Sequence, residues 1–295
     1  MFNLRPQLNR APTASIVPVV PMGATIPRLL HQTYPTKDLP ASLADNFRRL
    51  TALNPGWQHQ LFAHDDIVVF IEKHYGPRIL QYYDRIDSKY GAARADLFRY
   101  LLMYQIGGVY LDIKSSLTRP LDEVLSSSDS YVLSQWSDRY PGSGRHAGLE
   151  HIPGGEFQQW HIVCVPGHPY LKAVIDNVLR NIDCYNPCWH SAGKWGVINL
   201  TGPIAYTRAI YPILQRHAHR IADFERDLGF IYTIFDEPTK WKNNTHKTMF
   251  KWHYADMTHS IIRLRVFKLL YVKLIYTARV PWRITKRALL RAVGK

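Results

Sequence analysis

The chain has 295 residues, long enough to bury one large core, and its 46% hydrophobic and 20% charged residues are typical of a globular protein. The formal net charge of +14 suggests a nucleic-acid partner until the charge is located along the chain. Residues 261–295 contain ten Lys and Arg side chains and no Asp or Glu, which leaves 27 basic and 23 acidic side chains in the first 260 residues. The body is therefore nearly neutral and the tail is basic. Nucleic-acid binding is the less favoured alternative, and we expect no nucleic-acid partner.

The cysteines and the apolar segments restrict the cellular setting. Cys164, Cys184 and Cys188 are too few for a disulfide framework, and no second close pair completes a zinc site. Residues 1–25 lack the basic start and apolar run of a signal peptide, and charged residues interrupt every long apolar stretch. We therefore expect a cytoplasmic protein without a transmembrane helix.

Segments with strand periodicity alternate with segments of helical periodicity, which is typical of an α/β protein. Residues 1–24 contain four prolines and are predicted to form an extended lead-in. We predict one α/β domain over residues 25–260 and a basic tail over 261–295. The predicted elements, in chain order, are a strand over 26–31, a helix over 41–53, a strand over 57–62, a helix over 65–75 that Gly76 and Pro77 end, a helix over 90–105, strands over 109–113, 131–136 and 160–165, a helix over 170–182, a strand over 197–200 and a helix over 204–217.

Three charged residues stand out near the middle of the chain. Asp96 and Arg99 are three residues apart on a predicted helix and therefore share one face, and Asp112 follows at the end of the next predicted strand. Carboxylates accept hydrogen bonds from sugar hydroxyls and a guanidinium donates to them, so this set suits sugar binding. By spacing alone, an ion pair on the surface is the favoured interpretation of Asp96 and Arg99.

The exact strings around these residues decide between the two interpretations. The chain reads IPRLLHQTY from Ile26, AARADLFRYLLMYQIGGVYLDIK from Ala92, GHP from Gly167 and LTGP from Leu200. In these strings and in their order, residues 25–255 resemble glycosyltransferase family 32. That family includes initiating mannosyltransferases and bacterial sugar transferases of capsule or lipopolysaccharide synthesis.

The resemblance implies a single GT-A-like, Rossmann-like domain that binds a nucleotide sugar. It also implies transfer of a hexose, with retention, to a glycan or lipid-linked acceptor in surface polysaccharide synthesis. Asp112 matches the first Asp of the family's Asp-x-Asp motif and is expected to be a catalytic residue near the ribose, the sugar and a metal. By position, the residues expected to bind the donor are Gln32, Thr33, Asp96, Arg99, Tyr100, Gly108, Thr201 and Gly202.

Lys114 departs from the family motif, because it stands where the second Asp usually binds Mn²⁺ or Mg²⁺. A divalent cation prefers oxygen ligands, and a lysine ammonium repels it. Three alternatives remain open. Lys114 itself acts as a catalytic residue that neutralises the leaving diphosphate, or Asp112 holds a metal with a later group such as Asp256 or His253. In the third alternative, the chain is an inactive family member that serves as a scaffold.

A polar and aromatic segment precedes the strand predicted over 160–165 and is a candidate for acceptor binding. Trp160 is the candidate stacking platform for the acceptor, and a core position is the favoured alternative for this residue. The segment consists of Glu156, Gln158, Gln159 and Trp160.

The basic tail has the pattern of a helix that lies in a membrane interface. Between Trp282 and Val293, basic residues fall on one arc of a helical projection and apolar residues on most of the other. Each basic side chain near an anionic surface contributes about 1 kcal/mol. We therefore predict peripheral contact of 261–295 with the inner face of a membrane; a solvated tail and a helix packed on the domain are the alternatives. The basic residues on the arc are Arg283, Lys286, Arg287 and Arg291.

Overall fold

A six-stranded mixed sheet forms the centre of the computed structural model, which describes residues 15–137, 140, 142–235 and 256–263. The alternation of strands and helices confirms the predicted α/β class. The strands are β1 (Leu29–Thr33), β2 (Gln58–Phe62), β3 (Gly108–Leu111), β4 (Ser116–Leu117), β5 (Tyr131–Leu133), β6 (His161–Cys164), β7 (Arg220–Ile221) and β8 (Phe230–Ile231). The helices are α1 (Ala41–Leu53), α2 (His64–Arg85), α3 (Gly91–Ile106), α4 (Leu121–Val124), α5 (Pro169–Cys184), α6 (Pro187–His190), α7 (Gly193–Leu200) and α8 (Pro203–Ile210), with a 3₁₀ helix over Tyr211–Arg216.

The strand order in the large sheet is β2-β1-β3-β6-β5-β7. β1 runs parallel to β2 and β3, with Leu30 paired to Val109, whereas β6 runs antiparallel to β3 and β5. β5 and β7 are parallel, and β4 and β8 form a separate antiparallel pair. Because Leu111 pairs with His161, β6 begins at the edge of the sheet where β1 and β3 end.

Alternate residues of the central strands contribute to two separate cores, because successive side chains of a strand point to opposite faces. In β3, Tyr110 belongs to the core that includes α2, α3 and α5, whereas Val109 and Leu111 belong to the core on the other face. β5 and β6 repeat this alternation. The central strands β3, β5 and β6 are therefore covered on both faces, which explains why they are mostly apolar along their length.

The predicted helix bounds are most accurate for the segments in which the helical pattern extends over many residues. α1 has the predicted bounds, and α3 and α5 agree within two residues. α2 continues beyond its predicted end, because Gly76 takes φ 73° as a kink and Pro77 begins the next helical turn. The strand predicted over 197–200 is wrong. These residues are the second half of α7, since a short apolar run does not distinguish a buried strand from a buried helix.

Both ends of the predicted domain continue into packed chain. Val17, in the predicted lead-in, is 5% exposed and belongs to the larger core. Ile261 and Ile262, in the predicted tail, are also buried, and the Asp87 N–H donates to the Ile261 carbonyl over 2.8 Å. The body therefore extends at least to residue 263.

We expect Gly108→Ala to lower the free energy of unfolding by about 2–4 kcal/mol, measured by urea unfolding. Gly108 has φ 99°, and a Cβ at this position would lie 2.5 Å from the Leu29 carbonyl oxygen of β1. Gly91→Ala is the matched control, because a Cβ on Gly91 meets no atom within 4 Å. The control is expected to change stability by less than about 1 kcal/mol. Equal stability of the two variants would contradict the steric argument.

Stability is expected to fall as the pH is lowered from about 6.5 to about 4, because several histidines are buried in their neutral form. Burial lowers the pKa of His31 to about 4, of His161 to about 3 and of His168 to about 4. In this pH range the unfolded chain binds more protons than the folded chain, and each extra proton costs about 1.4 kcal/mol per pH unit. Burial also lowers the pKa of His59 to about 4, so His59→Gln should reduce the slope of unfolding free energy against pH by about 1 kcal/mol per pH unit. The exposed His64→Gln is the control and should leave the slope unchanged.

Candidate active site

Polar residues meet at the edge of the sheet where β1 and β3 end and β6 begins. Thr33 is the last residue of β1, Asp112 directly follows β3, and Gln159 lies two residues before the start of β6. The Asp112 N–H donates to the Trp160 carbonyl over 2.8 Å, which holds the exit from β3 against the entry to β6. In open α/β sheets, ligands bind outside the carboxyl ends of the parallel strands, so this edge is the expected place for a site.

The Arg99 guanidinium joins two carboxylates at this edge. Its Nη2 lies 3.2 Å from Asp96 Oδ1, and its Nη1 lies 3.0 Å from Asp112 Oδ1. Nη1 also donates to the Gln159 carbonyl over 2.8 Å, and the guanidinium carbon lies 4.7 Å from the centre of the Tyr110 ring. The ion pair between residues three apart on α3 is therefore buried and continues to Asp112, which excludes the interpretation as a surface pair.

Asp112 is the exposed end of this cluster. The side chains of Asp96 and Arg99 are each 5% exposed, and that of Asp112 is 24% exposed. Burial raises the pKa of Asp96, against the opposing effects of Arg99 and of the Thr201 hydroxyl. Burial lowers the pKa of Arg99, but the Asp112 carboxylate and its neighbours outweigh this effect, so the pKa is raised and Arg99 stays cationic. Asp112 is therefore the member of the cluster that a ligand in solvent can reach.

Buried hydrogen bonds fix Asp96 from the side of α7. Asp96 Oδ2 accepts from the Thr201 hydroxyl over 2.9 Å, and Oδ1 accepts from Gln159 Nε2 over 3.1 Å. The Tyr100 hydroxyl donates to the Thr201 carbonyl over 2.8 Å and is 3.1 Å from Gln159 Oε1. The next residue is Gly202, and a side chain does not fit there because its Cβ would lie 2.8 Å from the backbone of α7. Of the predicted donor residues, Tyr100, Thr201 and Gly202 thus support Asp96 from within the protein.

A second set of hydrogen bonds supports Asp112 from the side of β1. Gln32 Nε2 donates to the Asp112 carbonyl over 3.2 Å, and Gln32 Oε1 accepts from His59 Nε2 over 3.1 Å. The hydroxyls of Thr33 and Tyr110 are 3.0 Å apart, and that of Tyr110 lies 3.4 Å from Asp112 Oδ1. The structure therefore brings Gln32 and Thr33 to the same cluster as Asp112.

The ammonium group of Lys114 lies over an aromatic ring. Its Nζ lies 4.0 Å from the centre of the Tyr232 ring, within the range of a cation–π contact. The backbone carries the same association, because the Lys114 carbonyl accepts from the Ile234 N–H over 2.9 Å and the Ser115 hydroxyl donates to the Tyr232 carbonyl over 2.8 Å. The ammonium group is thus held two residues from the exposed carboxylate of Asp112.

The described residues do not fit a divalent cation held by the protein. Within those residues, no group of three or more His, Cys, Asp or Glu side chains could hold a metal. Asp112 Oδ1 already contacts the Arg99 guanidinium, and Lys114 stands where a second carboxylate is expected. Asp256 is exposed, and His253 lies outside the described residues.

Two predictions for site residues need correction. Trp160 is 5% exposed, and its indole packs edge-on against Phe224 with 5.5 Å between ring centres, so no ring face is open for acceptor stacking. Gly108 begins β3 and lies about 13 Å from Asp112 along the strand, at the opposite edge of the sheet. Trp160 is a tryptophan because it fills the core, and position 108 is a glycine because β3 lies so close to β1 there.

Sequence reasoning missed two aromatic residues of the site. Tyr110 precedes Asp112 by two residues, so the two-residue period of a strand could have placed both on one face. Tyr232 gave no such signal, because its contact with Lys114 depends on the pairing of β4 with β8. Gln159 was expected near the acceptor and instead connects Asp96, Arg99 and Tyr100.

Comparison with known proteins places these residues in a family context. The family described as "Glycosyltransferase sugar-binding region containing DXD motif" matches residues 40–131, which include Asp96, Arg99, Asp112 and Lys114. The chain is 29% identical over 158 residues to inositol phosphoceramide mannosyltransferase 3 of Schizosaccharomyces pombe, a match that covers 54% of this chain and 38% of the relative. It is 26% identical over 215 residues to the initiation-specific alpha-1,6-mannosyltransferase of Saccharomyces cerevisiae, covering 60% of this chain and 43% of the relative. The chain thus spans less than half the length of these two relatives.

Among solved structures, the UDP-bound glycosyltransferase domain of the YGT toxin is similar over 73% of this chain and 83% of that domain. The sequence identity is 8% and the TM-score is 0.49, so the likeness is distant.

The matched region contains the buried Asp96–Arg99 pair, Asp112 and the departure at Lys114 in the order that the family motif requires. On this motif and on the mannosyltransferase relatives, residues 40–131 are similar to the sugar-binding region of that glycosyltransferase family.

Proposed function

We propose that the protein is an enzyme that transfers a hexose from a nucleotide-sugar donor to a glycan or lipid-linked acceptor, with retention of the anomeric configuration. The observation that carries the proposal is the position of Asp112. It is the exposed carboxylate of a cluster with buried Asp96 and Arg99, at the edge of the sheet where β1 and β3 end. The match of residues 40–131 to the glycosyltransferase sugar-binding region supports the reaction class, and the geometry supports the place of the donor.

Asp112 is prepared to accept a hydrogen bond from the donor. Arg99 and Tyr110 both contact its Oδ1, and within the described part of the chain Oδ2 has no partner. A ribose or sugar hydroxyl is therefore the natural donor to Oδ2. Arg99, itself fixed by Asp96, sets the direction in which Asp112 presents this oxygen. Asp96 and Arg99 thus act as positioning residues.

Lys114 is proposed to neutralise the diphosphate that leaves during transfer. Its ammonium is held over the Tyr232 ring, two residues beyond Asp112, and it repels a divalent cation at the position where the family motif has a carboxylate. A fixed positive charge next to a developing diphosphate stabilises the transition state, as a metal does in other enzymes. We therefore propose turnover that does not require Mn²⁺ or Mg²⁺.

The relatives suggest which donor to test first. Both compared relatives are named as mannosyltransferases, one of inositol phosphoceramide and one with alpha-1,6 specificity. We propose a mannosyl donor as the first candidate and surface polysaccharide synthesis as the setting. The inactive scaffold is the second candidate, favoured by the loss of the motif's second carboxylate at Lys114.

We also propose that the basic tail brings the protein to the inner face of a membrane, where a lipid-linked acceptor is found. Residues 264–295 lie outside the described part of the chain and contain nine of the ten basic side chains of the predicted tail. In the part that is described, no helix is both long enough and apolar enough to cross a bilayer.

Incubation of the protein with a panel of nucleotide sugars, with and without Mn²⁺ and with EDTA, tests the donor, the metal requirement and the role of Lys114 together. We expect slow hydrolysis of one donor class that persists in EDTA. Lys114→Ala should reduce this rate by roughly 100-fold, because an electrostatic contact to the transition state is lost. Lys73→Ala on the exposed face of α2 is the charge-matched control and should keep the wild-type rate.

Two outcomes separate the alternatives. Activity that disappears in EDTA and returns with Mn²⁺ would contradict the role given to Lys114 but not the transferase function. A chain that binds a nucleotide sugar and hydrolyses none of the panel would contradict the enzyme and favour the scaffold.

Sedimentation with lipid vesicles tests the membrane proposal. The full chain is expected to bind anionic vesicles in a salt-dependent way, because up to nine charges of 264–295 can meet the surface. A chain ending at Arg263 should stay in the supernatant, as should the full chain with neutral vesicles. If both forms ignore anionic vesicles, or if the full chain prefers DNA to them, the tail does not have this function.

A further inference from the structure

A cavity outside the Asp112 cluster opens in the loop that follows β5. Its volume is about 310 Å³, within the range of sites for small ligands. Two aromatic side chains, Trp136 and Tyr140, form part of its wall, with 5.2 Å between their ring centres. The lining residues are Trp136, Ser137, Tyr140, Gly142, Ser143, Arg145 and Gly154.

The aromatic wall is held in place before any ligand arrives. The Trp136 indole N–H donates to Glu156 Oε1 over 2.7 Å, and Glu156 Oε2 lies 2.9 Å from His146 Nε2. Gly144, with φ 70°, allows the loop to press against the indole, since a Cβ there would lie 2.5 Å from Trp136 Cδ1. A rigid wall binds a ligand at a lower entropic cost than a mobile one.

Two polar side chains of the cavity wall, Ser137 and Arg145, are suited to contact a ligand. The Ser137 hydroxyl oxygen is buried and has no hydrogen-bond partner among the described residues. Arg145 is exposed, and within the same residues it makes no ion pair. An aromatic face beside a hydroxyl and a guanidinium matches a sugar ring, which offers apolar C–H groups on one side and hydroxyls around its rim.

Two series of side-chain contacts connect this cavity with the cluster of Asp96, Arg99 and Asp112. Trp136 lies 5.1 Å from the Tyr232 ring, and Tyr232 carries the Lys114 ammonium at 4.0 Å on its face. On the other side, His146 lies 5.9 Å from the ring of Trp195, which is 58% exposed on α7. α7 leads directly into Thr201, the hydrogen-bond donor to Asp96.

We propose that this cavity, together with the exposed Trp195 whose ring meets that of His146, binds a sugar residue of the acceptor. The proposal rests on the proposed transferase function and adds where the acceptor glycan lies. The sugar stacks on the aromatic wall, Ser137 and Arg145 hold its hydroxyls, and its reacting end faces Lys114 and Asp112. The site is specific for a carbohydrate and does not recognise the lipid part of an acceptor.

The test uses the full chain and two exposed positions that can be changed without disturbing the core. Saturation-transfer NMR with methyl α-mannoside and methyl α-glucoside measures sugar binding without donor. We expect Trp195→Ala and Arg145→Glu each to weaken the binding of the preferred glycoside by about tenfold. A second assay adds the nucleotide sugar that the wild-type chain is found to hydrolyse. In both variants the ratio of transfer to hydrolysis should fall by a similar factor, because the KM for the glycoside is higher.

Val69→Ala and Arg216→Glu are the controls. The first also truncates an exposed apolar side chain to Ala, on α2, and the second makes the same charge reversal on the 3₁₀ helix. The cavity proposal is overturned if neither glycoside binds the wild-type chain, or if the two test variants bind and transfer as the controls do. Donor hydrolysis separates this result from a failure of the transferase. A chain that hydrolyses a donor but shows no effect at Trp195 and Arg145 keeps its function and loses the site. A chain that hydrolyses nothing loses the function, and the binding measurement still decides the site.

Discussion

Burying a guanidinium away from water costs several kcal/mol unless carboxylates and carbonyl oxygens replace the lost hydration. Arg99 meets this requirement with Asp96 on its own helix, Asp112 after β3 and the Gln159 carbonyl before β6. Three segments that are distant in the sequence therefore have to meet around one cation. The edge of the sheet cannot open without leaving a buried charge unpaired, so the same interaction that stabilises the fold also orients the exposed carboxylate.

The charges of the site follow from this arrangement. Asp112 is fixed through one oxygen and keeps the other for a ligand, while the Lys114 ammonium lies over Tyr232 close by. A negative and a positive group are thus presented two residues apart. A nucleotide sugar has the complementary pattern, since its hydroxyls donate hydrogen bonds and its diphosphate is an anion. The substitution at the motif's last position changes the sign of the charge without removing the electrostatic role.

Local spacing allowed part of this site to be predicted from the sequence. The three-residue interval between Asp96 and Arg99 set a shared helix face, and the strand before Asp112 set its place at a sheet edge. The contributions of Gln159 and Tyr232 depend on how β6 and β8 pair, which no local pattern encodes. The error at residues 197–200 has a related cause. Val197 and Ile198 are apolar and β-branched, and only their packing in the tertiary structure makes them helical. Gly108 lies in the motif, but glycine is required there because the carbonyl of Leu29 leaves no room for a Cβ, and not because a ligand binds there.

The packing of Ile261 and Ile262 against the body has a mechanical consequence for the basic tail. The Arg263 N–H donates to the Arg85 carbonyl over 2.7 Å, and Ile262 forms a bridge with Ile86, so the last described residues are clamped to the end of α2. Residue 264 therefore follows a fixed point of the body, at the end of α2. If residues 264–295 bind a surface as proposed, that surface is attached to the body at a place that the fold defines. Attachment at a defined place raises the effective concentration of acceptors near the protein.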